Sequence, residues 1–196
     1  PVEKRVWLFS ATMPEGIKEI IRKFLNKDAR RVQISRNAGV NTNVSHEFIT
    51  CQSKDKLQEL MHFLSYNKEE RGMIFCQTKQ AARTLNKQLQ ARNLSIDAIE
   101  GDMGQRDRDK VMRKFKSEKL DLLIATDIAA RGIDVKDLSF VLHYQLPQQF
   151  EYYTHRSGRT GRAGMKGSSI LFITEKERSK AFEMAKELKI KLKPLN

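Results

Sequence analysis

The stretch LDLLIATDIAARGID (residues 120–134) sets a short apolar run directly before a polar turn. A run of four to eight apolar residues that ends in turn signals is typical of a strand buried on both faces. Such strands belong to parallel sheets, where helices cover both sides. The stretch therefore predicts a central parallel strand over Leu120–Ala125, with functional groups in the loop that follows it.

The same alternation of short apolar runs and longer helical patterns extends along the chain in both directions. Strands separated by helices of 10–15 residues predict βαβ units and an α/β fold with a parallel sheet. The predicted strands are Val6–Phe9, Arg31–Ile34, His46–Cys51, Gly72–Gln77, Ile96–Ile99, Leu120–Ala125, Phe140–Tyr144 and Ser169–Ile173. The predicted helices are Pro14–Leu25, Lys54–Leu64, Gln80–Leu89, Gln105–Lys116, Gln148–Arg162 and Glu175–Leu188.

Composition restricts the partners. The chain has 196 residues, a formal net charge of +13 and 39% hydrophobic residues, so it can form one domain, or one domain plus a piece of another. The charge favours polyanions: nucleic acid first, anionic membrane second and nucleotide phosphates third. A soluble protein that is merely basic is the alternative. The longest apolar runs, such as Leu120–Thr126, are too short to span a membrane.

The cysteines bear on the compartment in which the protein occurs, and the first residue bears on whether the chain is a fragment. Cys51 and Cys76 lie far apart and form no CxxC motif, which favours reduced thiols in a cytoplasmic protein over zinc ligands or a disulfide. The chain begins at Pro1 rather than Met, and we expect a fragment or a processed product.

ATDIAARGID (residues 125–134) is the first candidate site. Thr126 and Asp127 come where a strand ends and a helical turn can begin, and a hydroxyl with free N–H groups there can hold a phosphate. Gly132 permits a turn or a close approach to a ligand, and Asp134 can accept hydrogen bonds from ribose hydroxyls. A helix N-cap followed by an ordinary turn explains the same residues equally well.

EGDMGQRDRDK (residues 100–110) is a weaker candidate. Gln105, Arg106 and Arg108 lie in the first turn of a predicted helix, where cations are unfavourable unless an anion is near. A phosphate backbone can supply that anion. The neighbouring Asp107 and Asp109 can supply it in part, so the segment decides nothing alone.

HRSGRTGRAG (residues 155–164) carries the strongest signal, because Arg156, Arg159 and Arg162 recur every third residue among glycines. We predict that the three arginines share one helix face, with no acid nearby in the sequence. Interior glycines cost a helix about 1 kcal/mol each, which an exposed basic helix has no reason to accept. Arginine offers forked donors that suit phosphate oxygens, so the segment favours a phosphate ligand over a solvated basic helix.

Five motifs together resemble those of DEAD-box RNA helicases, a family of superfamily 2. They are SAT (Ser10–Thr12), MIFCQT (Met73–Thr78), GDMGQRDR (Gly101–Arg108), ATDIAARGID (Ala125–Asp134) and HRSGRTGRAG (His155–Gly164), in the family's order. The resemblance covers essentially the whole chain, and the histidine that opens the last motif favours the DEAD-box group over related helicases. It implies a RecA-like parallel sheet sandwiched between helices.

The resemblance also implies a domain organisation. Residues 1–34 are similar to the tail of the first RecA-like domain, residues 35–45 to the interdomain linker, and residues 46–196 to the second RecA-like domain. In the family the two domains close over ATP and RNA together, so the implied partners are RNA and the missing first domain, with no membrane.

Residue roles follow from the resemblance position by position. Arg159 and Arg162 match the arginine fingers that reach the γ-phosphate, and Gly132 and Asp134 match the nucleotide-sugar contact. His155, Arg131, Ser10 and Thr12 match positions that link the domains and couple hydrolysis to RNA. The positions that match RNA-backbone contacts are Thr78, Gly101, Arg108 and Thr126, with Gln105 beside them.

The sequence departs from the family at one position and lacks two of its motifs. Glu100 stands where the family commonly has His, and we expect it to point away from the RNA path. The sequence contains neither a GxxxxGK[ST] loop nor a DEAD box, the parts that hold phosphates and Mg²⁺. ATP and Mg²⁺ binding therefore need the missing domain, and we expect no ATP hydrolysis by this chain alone.

Two other functions remain open. The chain can be a non-enzymatic RNA-binding or protein-docking module that kept the fold, although Arg159, Arg162 and Asp134 argue against that. It can also belong to a helicase that acts on DNA, which the His155 motif disfavours.

Overall fold

The computed structural model divides the chain into two compact units, Pro1–Ala38 and Gly39–Asn196. It describes residues 6–10, 13, 15–26, 28–32, 41–133, 135, 138–162 and 164–195.

Among the described residues of the first unit there is one helix, α1 (Glu15–Phe24), close to the predicted bounds. None of its residues is buried within the described structure, and the apolar Ile20 and Phe24 are exposed. The predicted strand at Val6–Phe9 is wrong, because this segment has no regular structure. A strand needs a neighbouring backbone to pair with, and none of the described residues pairs with it. The predicted strand at Arg31–Ile34 lies partly outside the described residues, and Arg31 and Val32 have no regular structure.

The second unit is a parallel sheet of seven strands in the order β3-β4-β2-β5-β6-β1-β7. Its strands are β1 (Val44–Thr50), β2 (Gly72–Cys76), β3 (Ile96–Ile99), β4 (Leu122–Thr126), β5 (Phe140–His143), β6 (Gly167–Ile173) and β7 (Lys193–Pro194). Its helices are α2 (Lys56–Tyr66), α3 (Lys79–Gln90), α4 (Gln105–Lys116), α5 (Asp127–Ala130), α6 (Phe150–Ser157) and α7 (Glu175–Glu187). The predicted α/β fold with a RecA-like sheet between helices is confirmed.

Helices cover both faces of this sheet because the side chains of each strand alternate between two cores. Ile74 of β2 and Ile124 of β4 pack with α2 and α3 on one face. Met73 and Leu123, one residue earlier in the same strands, pack with α4 and α5 on the other. Farther along that second face, α6 and α7 cover β1 and β6. All ten residues of β2 and β4 are buried, which explains why their sequences read as continuous apolar runs.

The sequence predicted β3 and α4 with the bounds that the structure has, and most other elements within two residues. Two short elements, α5 and β7, were not predicted. The largest difference is α6, which ends at Ser157 and not at Arg162. This difference changes the interpretation of the arginine motif.

Candidate functional site

Three of the predicted loops lie side by side. Thr78 follows β2, Gly101 follows β3, and Thr126 ends β4, and these strands are neighbours in the sheet. Because the strands are parallel, their carboxyl ends meet at one edge, where α/β proteins bind ligands. The structure thus brings together the residues predicted to contact RNA.

The loop after β2 is fixed by the N-cap of α3. The Oγ1 atom of Thr78 accepts a hydrogen bond from the N–H of Ala81 at 3.1 Å, and Thr78 remains exposed. A hydroxyl that accepts in a cap keeps its own proton to donate. Thr78 can therefore cap the helix and donate to a phosphate oxygen at the same time.

The loop after β3 rests on a buried carboxylate. Glu100 is only 5% exposed, and its Oε1 accepts from Nε and Nη2 of Arg83 at 3.1 and 2.6 Å. Its Oε2 accepts from the N–H of Asp102 at 2.7 Å. Burial acts to raise the pKa of Glu100, but the Asp102 N–H and the Arg83 guanidinium outweigh it and lower the pKa. Glu100 is thus directed at Arg83 and at the backbone of its own loop, and its orientation away from RNA stays a prediction.

Two cations beside this loop were not found from the sequence. Lys79 forms an ion pair with Asp102, and Arg83 reaches the same carboxylate at 3.1 Å. A Cβ at Gly101 would come within 3.2 Å of the Cε atom of Lys79, so the loops after β2 and β3 are in contact. Lys79 directly follows Thr78, and its place after a strand in a parallel sheet was the available signal.

Arg108 connects helix α4 to helix α5. The Nη2 atom of Arg108 donates to the carbonyl of Ala129 at 2.6 Å, which satisfies an acceptor in α5. Gln105 is exposed and donates to Asp109 at 2.8 Å. Arg108 is half-buried, and this partner is a neutral carbonyl oxygen and not an anion.

The loop after β4 contains a turn at Gly132, the residue predicted to contact the nucleotide sugar. Thr126 is buried at the N-cap of α5 and makes no side-chain cap bond. Arg131 ends α5, and Gly132 follows with a φ of +73°, a conformation that favours glycine. A Cβ at Gly132 would meet no atom within 4 Å, so the turn faces open space. Asp134 lies outside the described residues.

Arg156 does not belong with the other two arginines of its motif. It is 1% exposed, and its Nε and Nη2 donate to the two carboxylate oxygens of Asp127 at 2.6 and 2.7 Å. A third nitrogen, Nη1, donates to the carbonyl of Gln145 at 3.1 Å, and the guanidinium lies 5.2 Å from the ring centre of Phe75. An acid distant in sequence therefore neutralises this arginine, and the prediction of three arginines on one face is wrong.

Arg159 and Arg162 lie beyond the end of α6. Gly158 caps the helix, and Gly161 then takes a φ of +68°, which turns the chain out of the helical path. Arg159 donates to the carbonyl of Ile133, and the Nε of exposed Arg162 donates to the carbonyl of Gly158 at 2.7 Å. The glycines therefore serve turns outside the helix, and the helix cost assumed for them does not arise.

A cavity of about 210 Å³ lies where α5 and α6 meet. It is lined by four residues to which the family resemblance gave a role: Arg131, Gly132, His155 and Arg159. Tyr152, one turn before Arg156, also contributes and was missed. Its remaining walls are Phe75, Asp127, Ala130 and Arg156. Arg162 instead lines a separate groove of about 600 Å³, which Arg159 also borders.

A cluster of buried polar side chains packs between α6 and the sheet. His143 is fully buried, bonds Ser169 through Nε2 at 3.0 Å, and stacks on Tyr153 at 4.6 Å. The pKa of His143 is well below its usual value, mainly because the ring is buried and also because of the neighbouring Arg156 and His46. Burial also lowers the pKa of His46, to about 4, and its Nδ1 lies 2.7 Å from the Tyr153 hydroxyl. Both imidazoles are therefore neutral at pH 7, so they add no positive charge beside Arg156.

The remaining predicted residues give less information. Ser10 is exposed in the first unit, and Thr12 lies outside the described residues. Cys51 is half-buried and Cys76 is buried, and neither forms a disulfide within the described residues. Within the described part of the chain, no group of His, Cys, Asp and Glu side chains could hold a metal ion. No helix in that part is both long and apolar enough to traverse a bilayer.

Known proteins match this architecture closely. Residues 55–164 match the family described as helicase conserved C-terminal domain. The DEAD-box ATP-dependent RNA helicase RhpA of Helicobacter pylori is 37% identical over 188 residues, which are 96% of this chain and 38% of that protein. A probable ATP-dependent RNA helicase of Methanocaldococcus jannaschii is 40% identical over 193 residues, 98% of this chain and 51% of that protein.

Solved structures agree. A DEAD box protein from the hyperthermophile Methanococcus jannaschii superimposes with a TM-score of 0.75 at 40% identity, over 98% of this chain and 52% of that one. S. cerevisiae Dbp5 bound to RNA and ADP BeF3 superimposes with a TM-score of 0.88 at 27% identity, over 100% of this chain and 52% of that one. The chain thus spans about two fifths to one half of the relatives that it matches.

Proposed function

This chain belongs to the DEAD-box RNA helicase family, as its conserved C-terminal helicase domain, and from that premise we propose that it binds the RNA backbone and completes the ATP site of a longer protein. In that protein, ATP hydrolysis is coupled to the local unwinding of RNA duplexes. The relatives that carry the name ATP-dependent RNA helicase are longer than this chain, so the activity belongs to the chain together with a first RecA-like domain.

The observation that carries the proposal is the contrast within the arginine motif. Arg156 is held inside by Asp127, whereas Arg159 borders the cavity that also contains Arg131, Gly132 and His155, and Arg162 follows it on the surface. We assign Arg159 and Arg162 as arginine fingers that stabilise charge on the γ-phosphate. Such a finger supplies about 10³–10⁵ in rate, or about 4–7 kcal/mol in the barrier.

The chain's own share in ATP binding is one wall of the site. Gly132, with Asp134, contacts the nucleotide sugar, and the open space at Gly132 allows a close approach. A bound Mg²⁺ would supply positive charge that neutralises the phosphate oxygens. The described residues offer no carboxylate cluster for it, so we assign its ligands to the first domain, along with the phosphate loop.

RNA binds along the edge formed by the loops after β2, β3 and β4. Thr78 donates a hydroxyl, Gly101 allows the backbone to approach, and Arg108, with Gln105 and Thr126 beside it, adds charge and polar contacts. Contacts of this kind position a phosphate backbone without reading its bases. The positive net charge of the chain favours the same partner.

The remaining residues link the two domains. Arg131 and His155 face the first domain, which contributes Ser10 and Thr12 of its SAT motif. We assign residues 1–34 to the tail of that domain and residues 35–45 to the linker, whose last two residues already belong to β1. The exposed apolar side chains of the first unit, among them Trp7 and Phe9, then pack in the rest of that domain. A cytoplasmic location for the protein remains a prediction.

The test is to mix this chain with a separately purified first RecA-like domain of the same protein. We expect no ATP turnover from the chain alone, and RNA-stimulated turnover and RNA unwinding when both parts are present or joined. Turnover by the chain alone would contradict the proposal. Binding of RNA with no turnover in the joined protein would favour the non-enzymatic module, and unwinding of DNA but not RNA duplexes would favour a DNA helicase.

A further inference from the structure

A groove of about 560 Å³ lies between α2 and the β5-β6-β1 part of the sheet. Its floor is apolar, formed by side chains such as Ile49, Phe63 and Ile170. Phe63 meets Phe140 edge to face, with ring centres 5.0 Å apart, so the floor is held firmly against the core. None of the residues assigned above to ATP or RNA lines this groove.

One wall of the groove is an exposed aromatic side chain. Tyr66 is 78% exposed at the end of α2, and its ring contacts His62 edge to face at 5.0 Å. An exposed tyrosine beside an apolar floor is the kind of residue that dominates binding energy at protein interfaces. It combines a large apolar surface with few rotatable bonds.

The rim of the groove carries the opposite charge to the rest of the chain. Glu47, Glu59 and Glu70 line it, no lysine or arginine does, and none of the three glutamates forms an ion pair within the described residues. The chain as a whole has a net charge of +13. A local acidic rim on such a chain repels nucleic acid and anionic lipid and attracts cationic groups.

We propose that this groove binds a cationic peptide segment of a partner protein, with apolar anchors placed between lysine or arginine side chains. The anchors occupy the floor beside Tyr66, and the cations pair with the glutamates at the rim. The inference does not depend on the ATP and RNA roles proposed above, because no residue with such a role lines the groove, although Glu70 also borders the separate groove beside Arg162.

The experiment selects peptides of about 12 residues from a random phage library on the immobilised chain. Single-stranded RNA is added in excess to occupy the basic surface. Phage that also bind the Glu59→Lys/Glu70→Lys double variant are removed before each round. We expect the retained peptides to carry net positive charge and apolar or aromatic anchors.

One retained peptide is then synthesised with a fluorescent label and titrated by anisotropy. Its affinity is expected to fall at least about tenfold with Tyr66→Ala and with Glu59→Lys/Glu70→Lys. Glu69→Lys is the matched control, because Glu69 is exposed in the same loop but does not line the groove. It should keep the wild-type affinity, and thermal unfolding checks that every variant is folded.

Three results would overturn the proposal. They are the absence of any peptide that prefers the wild-type chain, the selection of acidic peptides, and equal affinity for the wild type and the groove variants. Sedimentation at rising concentration is the last check. Self-association that Tyr66→Ala abolishes would show that the occupant is a second copy of the chain and not a cationic partner.

Discussion

Arg156 and Arg162 belong to one motif, six residues apart, yet they lie in opposite environments. Arg156 is buried on α6 in a two-pronged ion pair with Asp127. Arg162 is exposed, beyond a glycine that turns the chain away from the helix. One arginine therefore holds α5 against α6, and the other remains at the surface where a ligand can reach it.

The role of each arginine depends on which acid the fold brings to it. Asp127 lies 29 residues before Arg156 in the chain, but the junction of α5 and α6 places the two side chains in contact. That junction also lines the cavity with Arg131, His155 and Arg159. The buried pair thus lies beside Arg159, which we assign to the nucleotide, and beside Arg131 and His155, which we assign to the link between the domains.

The largest expected effect is on catalysis at the exposed end. In the chain joined to its first domain, Arg162→Ala should lower ATP turnover by about 10³-fold or more, because charge on the γ-phosphate loses its partner. RNA affinity should change little. Steady-state kinetics measures ATP turnover, and titration with RNA measures RNA affinity. Equal losses of turnover and affinity would contradict the assignment of Arg162 as an arginine finger.

The buried end should show its effect in folding. Arg156→Met leaves the Asp127 carboxylate without its partner and should lower the free energy of unfolding by about 3–5 kcal/mol. Arg162→Met, the matched control on the surface, should change it by less than about 0.5 kcal/mol. Urea unfolding of this chain measures both. Similar values for the two variants would show that Arg156 is not the anchor described here.

The turn between the two arginines has its own pair of tests. At Gly161 a Cβ would come within 2.6 Å of Val44 Cγ2, and φ is +68°, so Gly161→Ala should cost about 2–5 kcal/mol. Gly164 has a φ of +82° but no atom within 4 Å of a Cβ, and Gly164→Ala should cost about 1–2 kcal/mol. Urea unfolding compares them, and equal costs would mean that the contact with β1 is unimportant.

Glu100 offers a second ion pair with a pH dependence, formed by a buried carboxylate and the half-exposed Arg83. The pKa of Glu100 is lower in the folded chain than in the unfolded chain. Its ion pair therefore contributes to the free energy of unfolding at any pH above the unfolded-state pKa, and this contribution is lost as the pH falls through the folded-state pKa. Glu100→Gln should cost about 1–2 kcal/mol at pH 7, and the gap between variant and wild type should narrow below about pH 4. Urea unfolding across this pH range measures the gap, and a constant gap would contradict the role of the charge.

The smallest expected effect is on RNA affinity at the neighbouring edge. Arg108→Ala removes one cation from the proposed RNA path, so the slope of log affinity against log salt should fall by about 1. Fluorescence anisotropy with single-stranded RNA at several salt concentrations measures it. An unchanged slope would remove Arg108 from the path, whatever happens to ATP turnover.

Local patterns predicted the sheet well but misjudged the arginine motif. The bounds of β3 and α4 were recovered because apolar periodicity and glycines mark them in the sequence. The early end of α6 was missed because Thr160 pairs with Leu138, a contact between distant segments. The pairing of Arg156 with Asp127, and of Glu100 with Arg83, likewise depends on tertiary structure and leaves no signal in spacing. Motif order, by contrast, identified the family from sequence alone.

We propose that Arg159 and Arg162 complete a nucleotide site whose other wall comes from another domain. A crystal structure of the chain joined to its first domain, with RNA and a non-hydrolysable ATP analogue, is the decisive test. We expect at least one of the two guanidinium groups within about 3 Å of a γ-phosphate oxygen, with Arg156 still paired to Asp127. Both guanidinium groups directed away from the nucleotide in the closed protein would contradict the account.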